Sequence, residues 1–250
     1  MKTIVITGAS AGFGAELARQ LVEQGDTVLG LARRTEKLQQ MATQLGARFV
    51  PYSVDLTDKV ALEQVLAQIK QQHPQIDVLV NNAGLALGVA VAQKAQLEQW
   101  ETMISTNITA LLRITHALLP DMVARNQGQI INLGSTAGEY PYAGGNVYGG
   151  TKAFVHQLGR NLRADLAGTA LRVSTVAPGM CSGTDFSTVR LGDADKAAAL
   201  YANVQALTPE DVAGTIRWII NAPAHMNVNY VELMPVAQSF AGLSIHRDQA

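Results

Sequence analysis

Tyr148 and Lys152 stand four residues apart in "GGNVYGGTKAF" (Gly144–Phe154). On a helix that spacing puts them on one face, one turn above the other. Such a pair is by itself common on helix surfaces. It becomes chemical when the ammonium changes what the phenol does with its proton. A phenol ionises near ~10, and exchange near neutrality needs that value lowered at a gain of about 4 kcal/mol. An ammonium about 4 Å away supplies roughly that much at an effective dielectric of about 20. The pair would then give or take a proton at an oxygen, as a carbonyl requires when its carbon accepts a hydride. Ser135, in "NLGSTAG", can donate a hydrogen bond to the same oxygen. Asn107, in "STNITALL", falls inside a helical pattern, where asparagine is unfavourable without a partner.

A hydride needs a carrier, and the chain's first apolar run leads directly into "TGASAGFG" (Thr7–Gly14). Gly8, Gly12 and Gly14 allow a tight turn and close approach of backbone to a pyrophosphate, and the helix that follows offers free N–H groups and a positive dipole end. A glycine triplet alone is a weak signal, but its place between a strand and a helix is the context that dinucleotide binding requires. At the end of the second strand, where an acidic residue would accept from a ribose 2′-hydroxyl, the chain has Arg33 and Arg34. Guanidinium groups suit a 2′-phosphate, so the pattern favours NADP(H). Asp55, ending the third strand in "VDL", can accept from an adenine amino group, and "NNAG" (Asn81–Gly84) follows the fourth strand near the same crevice. Gly149 and Gly150 cost about 1 kcal/mol each within a helix. Their missing side chains are expected to leave room for cofactor and substrate.

Seven short runs rich in β-branched residues position these groups: Thr3–Gly8, Thr27–Ala32, Arg48–Asp55, Asp77–Gly84, Gln129–Ser135, Leu171–Gly179 and Tyr230–Pro235. Most are continuously apolar, as strands covered on both faces are, and helical patterns alternate with them. The expectation is one doubly wound Rossmann-type α/β domain over residues 1–250, with a parallel sheet and helices on both faces. The helical pattern from about Leu97 to Arg125 carries apolar residues on more than one face, so part of it should meet another subunit. The stretch from Met180 to Ala206 breaks the alternation and is read as a lid, with a helical patch at "DKAAALYANV".

Composition excludes several classes. At 48% hydrophobic and 16% charged residues the chain is not disordered, and a net charge of −1 favours neither nucleic acid nor an anionic membrane. The apolar start is broken by Gly8, too early for a secretory signal, and no run approaches the ~20 residues of a membrane span. The one cysteine, Cys181, leaves no disulfide and suits a reducing, cytoplasmic compartment. The five histidines, His73, His116, His156, His225 and His246, show no metal-ligand spacing and are read as structural or exposed, and no metal is expected.

Taken in order, "TGASAGFG", "NNAG", Asn107, Ser135, "YGGTK" and "APG" (Ala177–Gly179) make the chain resemble the short-chain dehydrogenase/reductase family over essentially its whole length. The resemblance implies a seven-stranded sheet, a nicotinamide cofactor, a homotetramer, and a catalytic tetrad of Asn107, Ser135, Tyr148 and Lys152. Asn107 would hold a water in a proton relay to Lys152, and Lys152 would also hold the nicotinamide ribose. Cofactor contacts are expected from Gly8, Ser10, Gly12, Phe13, Gly14, Arg33, Arg34, Asp55, Leu56, Asn82, Ala83, Gly84, Tyr148, Lys152, Pro178, Gly179 and Thr184. Thr184 comes one residue later after "PG" than in most members. "NNAGLALG", "GSTAGEYPYAGGNVYGGTKAF", "GTDFSTVRL" and "VELMPVAQSFAGLSIHR" resemble the NADP-dependent 3-hydroxy acid dehydrogenase group, described as also acting on serine, L-allo-threonine and malonic semialdehyde.

A short hydroxy acid needs a cation, with Ser135 and Tyr148 meeting its reacting oxygen. Arg113, Arg160 and Arg163 lie within helical patterns and Arg172 enters a strand. Arg190, after "GTDFSTV" in the lid, could bind the carboxylate bidentately as the lid closes. Competing expectations are a sulfoacetaldehyde reductase, a reductase of another small aldehyde, and a non-catalytic NADP-binding regulator on the same fold. The longer epimerases and dehydratases that share Tyr-x-x-x-Lys carry a second domain for which this length leaves no room.

Overall fold

Isoleucine, valine and leucine fill both faces of the strands, and the computed structural model, which describes residues 1–239, buries them on both sides. The strands are β1 (Thr3–Thr7), β2 (Thr27–Ala32), β3 (Phe49–Ser53), β4 (Val78–Asn81), β5 (Gln129–Leu133), β6 (Arg172–Pro178) and β7 (Tyr230–Leu233). They form one seven-stranded sheet in the order β3-β2-β1-β4-β5-β6-β7, with every pairing parallel. Each expected strand is present; β2 has the expected bounds and the other six are one to four residues shorter. The helices are α1 (Gly12–Glu23), α2 (Thr35–Leu45), α3 (Lys59–Gln72), α4 (Leu97–Ile104), α5 (Ala110–Ala124), α6 (Asn146–Asp165), α7 (Phe186–Leu191), α8 (Ala194–Ala199) and α9 (Pro209–Ile220).

Alternation along each strand divides the core in two. Ile4, Ile6, Val28 and Ile131 pack with Leu17, Leu21, Ile216 and Ile219 of α1 and α9. Val5, Leu29, Leu79 and Ile130 pack on the other face with Leu66 of α3 and Ile114 and Leu118 of α5. After β3 the chain crosses to the far side of β1, so the carboxyl ends of β1 and β4 become the topological switch point where such sheets bind ligands. Among the described residues no helix is long and apolar enough to cross a membrane.

The Leu97–Arg125 pattern is not one regular helix. A π-helical turn, Ser105–Thr109, separates α4 from α5 and contains Asn107. Met103, Leu111, Ile114 and Leu118 face the core, while Ile104 and Leu112 remain 42% and 38% exposed. The "DKAAALYANV" patch is helical only over α8, and α7 precedes it. The "VELMPVAQSFAGLSIHR" match runs past residue 239, so its last part and His246 lie outside the described residues.

Candidate active site

The glycine loop is shaped by the strand next to it. Asn82, just past β4, donates its side-chain amide to the carbonyls of Thr7 (2.8 Å) and Gly8 (3.3 Å). The Thr7 hydroxyl in turn accepts the main-chain N–H groups of Asn82 and Ala83, at 3.0 and 2.9 Å. A β-carbon on Gly14 would stand 2.5 Å from both the Asn82 amide and the Gly8 carbonyl, so only glycine fits. Gly12 has φ +52° and lies against Thr184, whose methyl would be 3.2 Å from an added β-carbon. No side chain caps the start of α1 and no acid occupies its first turn, which leaves its N–H groups and dipole to an anion.

A cleft of about 770 Å³ runs from this loop across the carboxyl edge of the sheet. Sixteen of the seventeen expected cofactor residues line it, all but Gly14, which sits behind the loop and lets it close on Asn82. At the cleft's far end Arg33 and Arg34 are exposed. Arg34 donates to the Ser10 hydroxyl (3.2 Å) and to Asp185 of the lid (2.8 Å). The guanidinium holds the Asp185 carboxyl below its ordinary value. Asp55 holds the main-chain and hydroxyl donors of Thr57 on one oxygen, at 2.9 and 2.8 Å. Burial pushes the Asp55 pKa up, but those bonds and the Arg33 charge outweigh it and the net direction is down. The narrow glycine cradle, the uncapped helix and the paired arginines together suit a phosphorylated dinucleotide.

The four tetrad candidates converge at the other end of the cleft, from α6, the end of β5 and the π turn. Tyr148 and Lys152 are both nearly buried, at 7% and 6% exposure. Ser135 lies within hydrogen-bonding reach of the Tyr148 hydroxyl, and its own oxygen accepts the Ala137 N–H at 3.1 Å. Lys152 donates to the Leu133 carbonyl at 2.8 Å, and its nitrogen is 5.9 Å from the Tyr148 ring centre. Asn107 has the partner that its helical position required: Oδ1 accepts the Leu85 N–H at 2.9 Å. Its amide nitrogen donates to the Leu85 carbonyl (2.9 Å) and the Thr151 hydroxyl (3.0 Å). Both amide hydrogens are thereby used. Asn107 Oδ1 and Lys152 Nζ each lie 3.3 Å from where a β-carbon on Gly84 would stand, so that glycine keeps the two in proximity.

Two expectations are corrected here. Gly149 and Gly150 do not make room in the cleft. Gly149 lets α6 approach the Ala137 carbonyl, 2.9 Å from an added β-carbon, and Gly150 faces a separate groove on the outer side of α6. Nor does the tyrosine pKa fall within the protein's own field. Burial pushes the Tyr148 hydroxyl up to about 12, against the lowering effect of the Ser135 hydrogen bond and the Arg190 charge. Burial also pulls Lys152 down to about 8. Removal from water penalises both charged forms, and that cost exceeds what the lysine gives the tyrosine.

The Met180–Ala206 segment, read from the sequence as a lid, covers this end. Phe186 packs on Tyr148 with ring centres 5.6 Å apart, and Ser187 and Tyr201 join α7 to the chain beyond α8 through their hydroxyls. The Arg190 guanidinium sits over the rings of Tyr142 (5.2 Å) and Tyr148 (5.7 Å). It donates to the carbonyls of Gly88 (3.3 Å) and Gly144 (3.4 Å). Among the described residues no carboxylate lies within ion-pairing distance of it. Three of the other candidate arginines bond away from the cleft: Arg113 to the Thr57 carbonyl, Arg160 to Glu139, and Arg172 to Gln129 and the Ala222 carbonyl. Sequence reasoning missed Tyr142, Asp185 and His156 as parts of this neighbourhood. His156 carried a legible signal, since it continues the four-residue spacing of Tyr148 and Lys152. Asp185 carried none, because its partner lies 151 residues away.

This fold, with its glycine loop at the switch point and a tyrosine–lysine pair across the cleft, defines a Rossmann-type dinucleotide-dependent oxidoreductase. By sequence the chain belongs to the short chain dehydrogenase family, whose profile matches residues 2–194. It is 54% identical over 245 residues to the NADP-dependent 3-hydroxy acid dehydrogenase YdfG of Salmonella typhi, covering 98% of this chain and 99% of that protein. It is 49% identical over 247 residues to serine 3-dehydrogenase of Agrobacterium fabrum, covering 98% of each. The closed form of a serine dehydrogenase complexed with NADP+ superposes with a TM-score of 0.96 at 51% identity, over 98% of this chain and all of that one.

Proposed function

We propose that this chain is an NADP(H)-dependent dehydrogenase interconverting a short 3-hydroxy acid, or a 3-hydroxy amino acid such as serine, with the 3-oxo acid or semialdehyde. The observation that carries the substrate class is Arg190, a cation beside Tyr148 with no carboxylate partner among the described residues and only long bonds to carbonyls. A guanidinium so placed binds a substrate carboxylate in a bidentate manner while the reacting carbon faces the tyrosine. The relatives' stated activities on 3-hydroxy acids and serine support the reading.

The nicotinamide, when bound, accepts or supplies the hydride, and its oxidised ring adds positive charge. The chain's own residues do the rest. Tyr148 gives its proton to the carbonyl oxygen in reduction and takes it back in oxidation. Ser135 donates to the same oxygen and stabilises charge developing there. Lys152 holds a positive charge beside the phenol, and Asn107 fixes Leu85 and Thr151 around it. Arg33 and Arg34 read the 2′-phosphate, which would take Arg34 in competition with Asp185. The lid excludes water above the pair.

A panel of malonic semialdehyde, sulfoacetaldehyde and a neutral aldehyde of matched length, each with NADPH, tests the reading. Fastest kcat/KM with the carboxylate is the expected result. Preference for the sulfonate would make the chain a sulfoacetaldehyde reductase, preference for the neutral aldehyde would remove the anion site, and no oxidation of NADPH would leave a nucleotide-binding regulator. The apolar residues left exposed on α4 and α5, together with Phe154 on α6, suit a homotetramer, which sedimentation reads directly. The buried free thiol of Cys181 suits a reducing cytoplasm.

A further inference from the structure

Helix α6 presents three polar side chains at four-residue intervals on its buried face: Tyr148, Lys152 and His156. The first two have places in the chemistry. The third is the most buried, at 2% exposure, and no proposed step uses it. His156 Nε2 accepts the main-chain N–H of Ser135 at 3.2 Å. That N–H can only donate, so Nε2 is bare and the ring proton sits on Nδ1. Nδ1 faces Glu139 Oε1 at 3.0 Å, an oxygen that also takes Arg160 at 3.3 Å. The "GSTAG" segment is cut to admit the ring. A β-carbon on Gly134 would stand 2.3 Å from Nε2, and one on Gly138 would stand 2.7 Å from Cε1. Tyr230 of β7 closes the remaining side edge-on, with ring centres 5.3 Å apart.

We infer that His156 is a positioning residue: held by Glu139, its imidazole fixes the Ser135 main chain and so sets where the Ser135 hydroxyl meets the substrate oxygen. The inference rests on the proposed role of Ser135. The Ser135 side chain is tied to Ala137, so the main-chain bond to His156 is the second of two points that orient it. A protonated ring would set one N–H against another, lose that bond and bring a charge close to Lys152. The charged and titratable groups around the ring are Lys152 and Arg160 from α6, Glu139 from the segment after β5, and Tyr230 with Glu232 behind it from β7. Burial, the largest influence, lowers the His156 pKa, Glu139 opposes it, and the two cations add to the lowering.

The test uses the reduction direction, with the carbonyl substrate that the wild type turns over fastest. There Tyr148 must be protonated and Lys152 charged, and neither condition fails in acid. Protonation of His156 should therefore appear as a fall in kcat below the ordinary histidine value of ~6.5. His156→Gln keeps an acceptor that does not titrate, so it should retain most of kcat and lose the acid fall. His156→Leu removes the acceptor and should cut kcat about ten- to a hundredfold, with NADPH affinity by fluorescence titration and far-UV circular dichroism unchanged. A leucine variant with wild-type kcat, or a glutamine variant whose acid limb matches the wild type's, overturns the inference. Should the leucine variant not fold, the glutamine profile decides. Ser135→Ala, run alongside, separates the two readings: if it alone behaves as wild type, the role of Ser135 fails rather than the bond from His156.

Discussion

Arg190→Met removes the guanidinium and keeps most of the side chain's length and apolar packing against Tyr142 and Tyr148. Among the described residues the group makes two bonds, at 3.3 and 3.4 Å, both to neutral carbonyls. A substrate carboxylate would exchange those for short bonds between opposite charges, which contribute about 1.5–3 kcal/mol. That energy corresponds to a roughly ten- to 150-fold rise in KM for a semialdehyde acid when it is lost. The Coulomb attraction at about 4 Å with an effective dielectric of 20 is about 4 kcal/mol, an upper bound before desolvation and the surrendered carbonyl bonds are subtracted. Turnover at saturation should change little, because the carboxylate is held alike before and during hydride transfer. A neutral aldehyde of similar size should keep its kcat/KM. Arg190→Lys restores the charge without the fork and should recover part of the loss. The assay is NADPH absorbance at varied substrate. Arg190 also ties the lid to Gly88 and Gly144, and damage to the lid would harm both substrates equally. Equal losses on acid and neutral aldehyde, or no loss on the acid, would refute the carboxylate role.

Tyr148→Phe should lower kcat by several orders of magnitude while NADPH binding, followed by fluorescence, stays near wild type; a variant keeping a tenth of the rate would exclude the tyrosine as proton donor. In the oxidation direction the wild-type rate should climb with pH through an apparent pKa well below the value of about 12 that burial sets, because oxidised cofactor brings a positive ring to the phenol. A kcat profile still flat up to pH 10 would contradict this. Replacing Arg33 and Arg34 with alanine should weaken NADPH binding far more than NADH binding, and calorimetry showing equal losses would separate the arginines from the 2′-phosphate. Gly14→Ala puts a methyl 2.5 Å from backbone and amide, so it should destabilise the fold by about 1–3 kcal/mol in urea and loosen NADPH binding; a wild-type midpoint would mean that the loop gives way freely. Lys152 is charged in the unfolded chain up to about 10.5 but in the fold only up to about 8, so below pH 8 folding carries the full cost of burying the charge, roughly 3 kcal/mol. Lys152→Met should therefore be inactive yet more stable than wild type at pH 7, less what the lost bond to the Leu133 carbonyl returns. That advantage should shrink as pH rises from 8 to 10.5, and urea titrations in which it grows would reverse the sign of the argument.

The sequence by itself determined the strands, the glycine loop and the shared face of Tyr148 and Lys152. These are local properties: β-branched runs, a glycine spacing between strand and helix, and a separation of four residues each act through immediate neighbours. Parallel strand pairing followed from the nearly unbroken alternation of strands and helices, whereas the switch point needed the strand order, which only the fold supplies. Only the tertiary structure decided what the site's groups feel. Asn107 looked like a helix residue lacking a partner until Leu85 and Thr151 came to it and the backbone widened into a π turn. Gly150 looked like space for a ligand until α6 was seen to turn it outward. The four-residue step from Tyr148 to Lys152 suggested a lowered phenol pKa, but enclosure by the lid and sheet sets the opposite direction. The Arg34–Asp185 and Ser135–His156 contacts join residues 151 and 21 apart. Burial and long-range partners govern charge, and both are sums over chain segments that meet only after folding.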